Sequence, residues 1–314
     1  MLGIMNTTST LFITIVLGFI CGKTNLFKPG QDQALIRYVF YIALPLNLFL
    51  SCYEATWHIF NLSYLLSYSI AMILMIGLSY LLSQKLLKPG KSASIINTMA
   101  ASQVDGAYFA IPLFLLIFKS DSLLVPVMLI QNTVFFTLSL TLLQMSCENQ
   151  PPQKHYLRFI VGQFFYVITH NPIICLSLLG LIAGLLSLKI PGNIMHAAQF
   201  IGNSSSVVAL FSLGLTCSFY SNSLMQKEHI FPLLGLSLLK LWVLPFLSFV
   251  IGTILHLNHE LLFALVLFTA SPAATHTYII AKKYDTDVEL ATFNVVLTTL
   301  LSFFSINLWL YWLK

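Results

Sequence analysis

Two residues stand out because their charge sits where charge is expensive. Asp105 and Lys240 are the two firmly charged side chains deep inside long apolar runs. A charge at the centre of a membrane helix costs roughly 2.5–3.5 kcal/mol on an insertion scale, so neither is expected to be idle. Asp105 can carry a proton or cation through a coupling cycle, or ligate a cationic group. The structural alternative is a permanent partner for Lys240 or a protonated, hydrogen-bonded acid. Lys240 can balance Asp105 or receive the carboxylate of an anionic substrate. If the two pair, an anion that competes for Lys240 while Asp105 takes a proton makes a compact symport scheme. His276 follows Pro272 by one helical turn. Imidazoles titrate near neutrality, so it is a second proton-relay candidate beside an ordinary packing histidine.

The elements that hold these groups are membrane helices. Of 314 residues, 58% are apolar and 8% charged, with a mean hydropathy of +0.87. Soluble domains carry roughly 25% charged residues, which excludes a soluble enzyme, a disordered chain or a nucleic-acid binder. A spanning helix needs ~20 apolar residues. Runs near 5–21, 33–52, 58–83, 92–118, 122–146, 159–188, 193–219, 229–256, 260–282 and 288–313 give ten spans, the first retained rather than a signal peptide. Lys28-Pro29-Gly30, Lys88-Pro89-Gly90-Lys91, Glu148–Lys154 and Pro191-Gly192 break them.

With the N-terminus outside, the inner loops hold eleven cations: Lys23, Lys28, Arg37, Lys85, Lys88, Lys91, Lys154, Arg158, Lys227, Lys282 and Lys283. The outer side holds three, Lys119, Lys189 and Lys314. That asymmetry places both termini on the outer, periplasmic or extracellular, side of a plasma membrane. Five dispersed cysteines make no disulfide framework and read as small apolar filler.

The chain repeats itself. Leu17-Gly18-Phe19-Ile20-Cys21-Gly22 recurs as Leu179-Gly180-Leu181-Ile182-Ala183-Gly184, and Pro29-Gly30 as Pro191-Gly192, at an offset of 162. The same offset pairs Leu48-Phe49 with Leu210-Phe211, and Asn132 with Asn294. The domains are therefore a first five-helix repeat (1–146), a cytoplasmic connection (147–158) and a second repeat (159–314). Five is odd, so the second copy enters from the opposite side. Inverted repeats underlie many secondary transporters, with the site near the midplane where broken helices meet.

Broken helices are expected at matching places. The fourth span reads Ala101-Ser102-Gln103-Val104-Asp105-Gly106-Ala107-Tyr108-Phe109-Ala110-Ile111-Pro112, and the ninth Thr269-Ala270-Ser271-Pro272-Ala273-Ala274-Thr275-His276. Each sets a proline among small and polar residues, and a proline removes a helix hydrogen bond. The freed backbone groups can face a ligand, although a packing kink needs the same residues. Gln103, Gly106, Pro112, Pro272 and Thr275 are the crossover candidates; Pro45, Asn47, Tyr108 and Asn294 are candidate cavity lining.

These stretches, with Ile42-Ala43-Leu44-Pro45, Leu210–Leu215, Lys240 before Pro245, Ala281–Asp287 and Thr298–Ser302, carry a resemblance over nearly the whole chain. The sequence resembles the auxin efflux carrier family, including its bacterial malonate-carrier-like members. The resemblance implies an all-α polytopic fold of ten helices, with helices 4 and 9 crossing at their unwound points. It also implies a scaffold of helices 1, 2, 6 and 7, a moving domain of the other six, and a homodimer. The family motif in helix 4 usually reads Asn-x-Gly-aromatic/Phe-x-Gly-x-Pro. Here Asp105 replaces the Asn, and alanines 107 and 110 replace the glycines.

The expected function is a secondary-active transporter of a small organic anion, a malonate-like dicarboxylate or a monocarboxylate. It would work by alternating access in the bacterial inner membrane, elevator-type and proton-coupled. An uncoupled facilitator or a sodium-coupled carrier of the same fold is the alternative, with a channel or membrane enzyme behind them. His259-Glu260-Leu261-Leu262-Phe263 starts like a zinc-protease motif but lacks its second histidine. Hence no catalytic residue, metal or cofactor is expected, only a coupling ion, proton before sodium. The partners expected are the substrate anion, the bilayer and a second copy of the chain, with no nucleic acid.

Overall fold

The computed structural model describes residues 2–54, 61–87, 90–120, 122–147, 162, 165, 172–220 and 230–313. Lys88, Lys154, Arg158, Lys227, Lys314 and most of the 147–158 connection lie outside that set. The described helices up to the middle of the chain are α1 (Leu2–Lys23), α2 (Asp32–Glu54), α3 (Leu62–Lys85), α4 (Lys91–Ser102), α5 (Ile111–Ile117) and α6 (124–147). The later ones are α7 (Pro172–Leu185), α8 (Gly192–Tyr220), α9 (Phe231–Ile254), α10 (His259–Ala270), α11 (His276–Lys283) and α12 (Val288–Trp312). Among the described residues the regular structure is all helical, apart from one isolated β-bridge.

By length and composition α2, α3, α8, α9 and α12 can each cross a membrane; shorter apolar stretches occupy Phe12–Lys23, Cys175–Leu185 and His259–Ala270. Helix boundaries follow local chemistry. Asn61 caps α3 by accepting from the Tyr64 N–H at 3.2 Å, and Asn258 caps α10 from the Leu261 N–H at 2.8 Å. Between α1 and α2, Gly30 has φ of 93°, a left-handed turn that a side chain would strain.

Contacts divide the chain into two compact units, each drawn from both sequence halves. The first comprises Met1–Phe60, Ala107–Leu129 and Tyr166–Ser221; the second Asn61–Gly106, Ile130–Phe165 and Asn222–Lys314. In the first unit α1 packs on α8, and α7 on α2. A Cβ at Gly18 would sit 2.1 Å from the Phe211 carbonyl oxygen, and one at Gly180 2.3 Å from that of Phe49. Both glycines are there because backbone approaches backbone. Gly18 and Gly180, like Phe49 and Phe211, are separated by the 162-residue offset, so each glycine meets the counterpart of the other's partner.

In the second unit α12 shows how such a helix is built. Asn294, Thr298, Ser302 and Ser305 recur at helical spacing on the buried face, while Leu300, Phe304, Leu308 and Tyr311 are exposed. Polar groups share the buried face with apolar ones such as Phe293 and Ile306, while the exposed face from Leu300 on is apolar, unlike that of a soluble helix. The serine and threonine hydroxyls bond carbonyls of their own helix, as Thr298 Oγ1 does to Asn294 O at 2.6 Å. Among the described residues there are five π-helical turns, at Val39–Ala43, Ser83–Leu87, Gly106–Ala110, Gln131–Phe135 and Leu239–Val243. Three of these turns end two residues before a described proline, namely Pro45, Pro112 and Pro245. Leu44 donates to Val39 O and Leu244 to Leu239 O, each five residues back. The widened turn relieves the clash that Pro45 and Pro245 would otherwise make with the preceding turn.

Candidate functional site

The site lies in the second unit, where two helices stop facing one another. α4 ends at Ser102, residues 103–105 are extended, and the π turn Gly106–Ala110 follows. α10 ends at Ala270, and residues 271–275 are non-helical before α11 starts at His276. The two extended stretches cross as an antiparallel bridge between Val104 and Ala273. The Asp105 N–H donates to Pro272 O at 2.9 Å, and the Ala274 N–H to Gln103 O at 3.1 Å.

That pairing leaves the outer edges of both bridge residues to be satisfied, and side chains do it. Gln131 accepts from the Val104 N–H at 3.1 Å and donates to its carbonyl at 2.8 Å, so one carboxamide replaces a neighbouring strand. The Tyr68 hydroxyl fixes that carboxamide by donating to Gln131 Oε1 at 2.8 Å. Across the bridge, Thr298 Oγ1 accepts from the Ala273 N–H at 3.1 Å. Buried backbone groups without partners cost about 1–3 kcal/mol each, so these side chains are what allows the helices to stay broken.

The helix ends are treated separately. Lys240 is fully buried and donates to Thr269 O at 2.8 Å and Ser271 O at 2.7 Å, closing the last turn of α10. A cation there also complements the negative end of the helix dipole. Asn294 serves α4, donating from Nδ2 to Ala100 O at 3.0 Å, and its Oδ1 accepts from Ser237 Oγ at 3.3 Å. Asp105, 3% exposed, accepts a hydrogen bond on Oδ2 from the Thr275 hydroxyl. The Asp105 main-chain N–H and the Lys240 ammonium thus hold adjacent carbonyls, Pro272 and Ser271.

His276 is half-buried at the start of α11, its Nε2 bonded to Gln103 Oε1 and its ring 4.8 Å from that of Phe136, edge to face. Gln103 Nε2 donates to Ser139 Oγ at 3.1 Å. With the Gln103 amide nitrogen so engaged, its oxygen faces the histidine and Nε2 is the donor, which leaves Nδ1 as the acceptor of a neutral ring.

Of the residues singled out in the sequence, Asp105, Lys240, His276, Gln103, Gly106, Pro272, Thr275 and Asn294 gather in this unit. Pro45 and Asn47 are buried on α2 of the first unit. The Tyr108 side chain lies outside the described set. Pro112 differs from Pro272. It follows the π turn Gly106–Ala110 within one continuous helical stretch, eight residues beyond the bridge at Val104. The first span is opened by its tertiary partners and not by its proline. Gln131, Tyr68 and Thr298 were not singled out; the signal for Gln131 was an amide in mid-span beside the repeat-matched Asn132.

Comparison with known proteins agrees with this architecture. The chain is 23% identical over 308 residues to an uncharacterized transporter, YfdV, of Escherichia coli K12, covering 96% of this chain and 95% of that one. An uncharacterized transporter of Methanothermobacter thermautotrophicus is 24% identical over 315 residues, 98% of each chain. The lysosomal cholesterol signaling protein of Mus musculus is 26% identical over 310 residues, 93% of this chain but 35% of that much longer protein. The sequence pattern of the family described as membrane transport protein matches residues 4–310. A helical integral membrane protein, the chain belongs to that family, the family of the auxin efflux carriers.

Proposed function

We propose that the chain is a secondary-active carrier that moves a small carboxylate anion across a bacterial inner membrane by alternating access, coupled to protons. The observation that carries this reading is the crossing of two broken helices, with the Asp105 main-chain N–H and the Lys240 ammonium on adjacent carbonyls and the Asp105 carboxylate on Thr275. Broken helices of this kind form the binding sites of secondary transporters. Asp105 supplies a proton site, and Lys240 a cation for a carboxylate. Ten spans in two inverted repeats, with both termini outside, are the architecture of this reading. The glycine contacts repeated at the 162-residue offset support it. An elevator-type motion, in which one unit carries the site past a dimeric scaffold, is supported by the division of the chain. The first unit contains most of spans one, two, six and seven, and the crossing belongs to the second.

Reconstituted protein tests this directly, with labelled malonate uptake measured under an inward proton gradient, an inward sodium gradient, or neither. Accumulation above equilibrium under the proton gradient alone is the expected result. Equal uptake in all three conditions favours an uncoupled carrier, in which the Asp105–Thr275 bond is structural. Sodium-driven accumulation replaces the proton as coupling ion.

A further inference from the structure

Counting charge at the crossing constrains the cargo. Asp105 and Lys240 are both buried, at 3% and 0% exposure, and sit on the adjacent carbonyls of Pro272 and Ser271 through a main-chain N–H and an ammonium. The site is therefore neutral when both are ionised. Two carbonyls and the end of α10 offer Lys240 only partial negative charge, about half an elementary charge for a helix terminus. An uncompensated buried charge is strongly disfavoured, and more so when the site must cross a bilayer. Among the other ionisable groups on the elements that meet here are His276, held by Gln103, and the phenols Tyr64 and Tyr68 of α3, while Lys91, His259, Glu260 and Glu289 stand at the starts of their helices. The phenols keep their protons at neutral pH.

Resting on the proton-coupled reading above, we propose that each cycle carries one proton on Asp105 together with one negative charge beside Lys240. The cargo is then a monoanion, either a monocarboxylate or a dicarboxylate bearing one proton, and transport is electroneutral. The balance closes. On one side the Asp105 carboxylate takes up a proton, which leaves the Lys240 charge uncompensated, and the ammonium, still on its two carbonyls, attracts one carboxylate of the anion. On the other side both leave, the two residues are again oppositely charged, and the empty site returns with no net charge.

Proteoliposomes holding a trapped pH dye, clamped at 0 or −100 mV with potassium and valinomycin, test the inference with labelled lactate and labelled malonate as probes. One proton should enter with each lactate, and two with each malonate counted as the dianion. Steady accumulation should differ less than about two-fold between the two potentials. A cycle that moves one net charge would shift it about fifty-fold over 100 mV, and that result overturns the inference while leaving a coupled carrier intact. Asp105→Asn should lose accumulation driven by pH, and its residual uptake should become potential-dependent. His276→Gln should lower the rate but keep one proton per lactate; a count of zero moves the proton away from Asp105 and overturns the proposal. If neither probe enters under any gradient, the carboxylate-carrier reading falls, and this inference with it.

Discussion

The two broken helices meet the same problem and solve it differently. α4 is held by neutral amides, with Gln131 on the Val104 peptide and Asn294 on the Ala100 carbonyl. α10 is closed by a full charge, the Lys240 ammonium on Thr269 and Ser271. An amide can satisfy a peptide without altering the electrical balance of the site, whereas an ammonium cannot. The first span is therefore fixed whatever binds, while the second is held by a group whose environment depends on the charge of Asp105. One arm is a clamp and the other a charge-sensitive latch. The π turns contribute to both: Gln131 opens one and Lys240 lies within another, so each polar head comes from a locally widened helix.

The contrast can be broken most forcefully at the latch. Lys240→Met removes the donors of two carbonyls and leaves the Asp105 charge alone, and should cost about 3–5 kcal/mol. Melting of the detergent-solubilised protein reads the loss. Adding Asp105→Asn should recover part of it, because the stranded charge is gone; equal loss in single and double variants would show that the two charges are independent. At the clamp, Gln131→Ala strips the Val104 N–H of its partner and leaves the carbonyl only the Gly106 N–H, and should cost about 1–3 kcal/mol. Gln131→Glu should lose less at a pH where its buried carboxyl keeps a proton, since that acid accepts from the N–H and donates to the carbonyl. Asp105→Asn should not rescue either variant, which separates a clamp from a latch in the same melting assay. Thr298→Val, removing one hydroxyl from the Ala273 N–H, should cost about 1 kcal/mol.

Much of the crossing was legible from composition. In a chain with 8% charged residues, an acid and a lysine inside apolar runs draw notice, and both are at the crossing. Pro272 sits in the break it signals. Pro112 could not mark the other break, because Val104 is held open by a carboxamide from a distant span, and local propensity carries no trace of that. Lys240 invited pairing with an acid, yet its hydrogen bonds go to main-chain carbonyls, which every residue possesses and no sequence advertises. Pro45 and Pro245 were visible as prolines, but not the π turns that absorb them. The glycines at the 162-residue offset were legible as a repeat, while their reciprocal contacts with Phe49 and Phe211 needed coordinates.

The central claim is that a carboxylate binds at the crossing, on Lys240, when Asp105 holds a proton. Malonate-dependent melting at pH 5.5 and 7.5, for wild type and Lys240→Met, tests it most directly. A ligand at a hundred times its dissociation constant stabilises by about 2.7 kcal/mol, enough to read as a shift of several degrees. The account predicts a shift in the wild type that is larger at the acid pH and absent in Lys240→Met. An equal shift in both proteins, independent of pH, would contradict it.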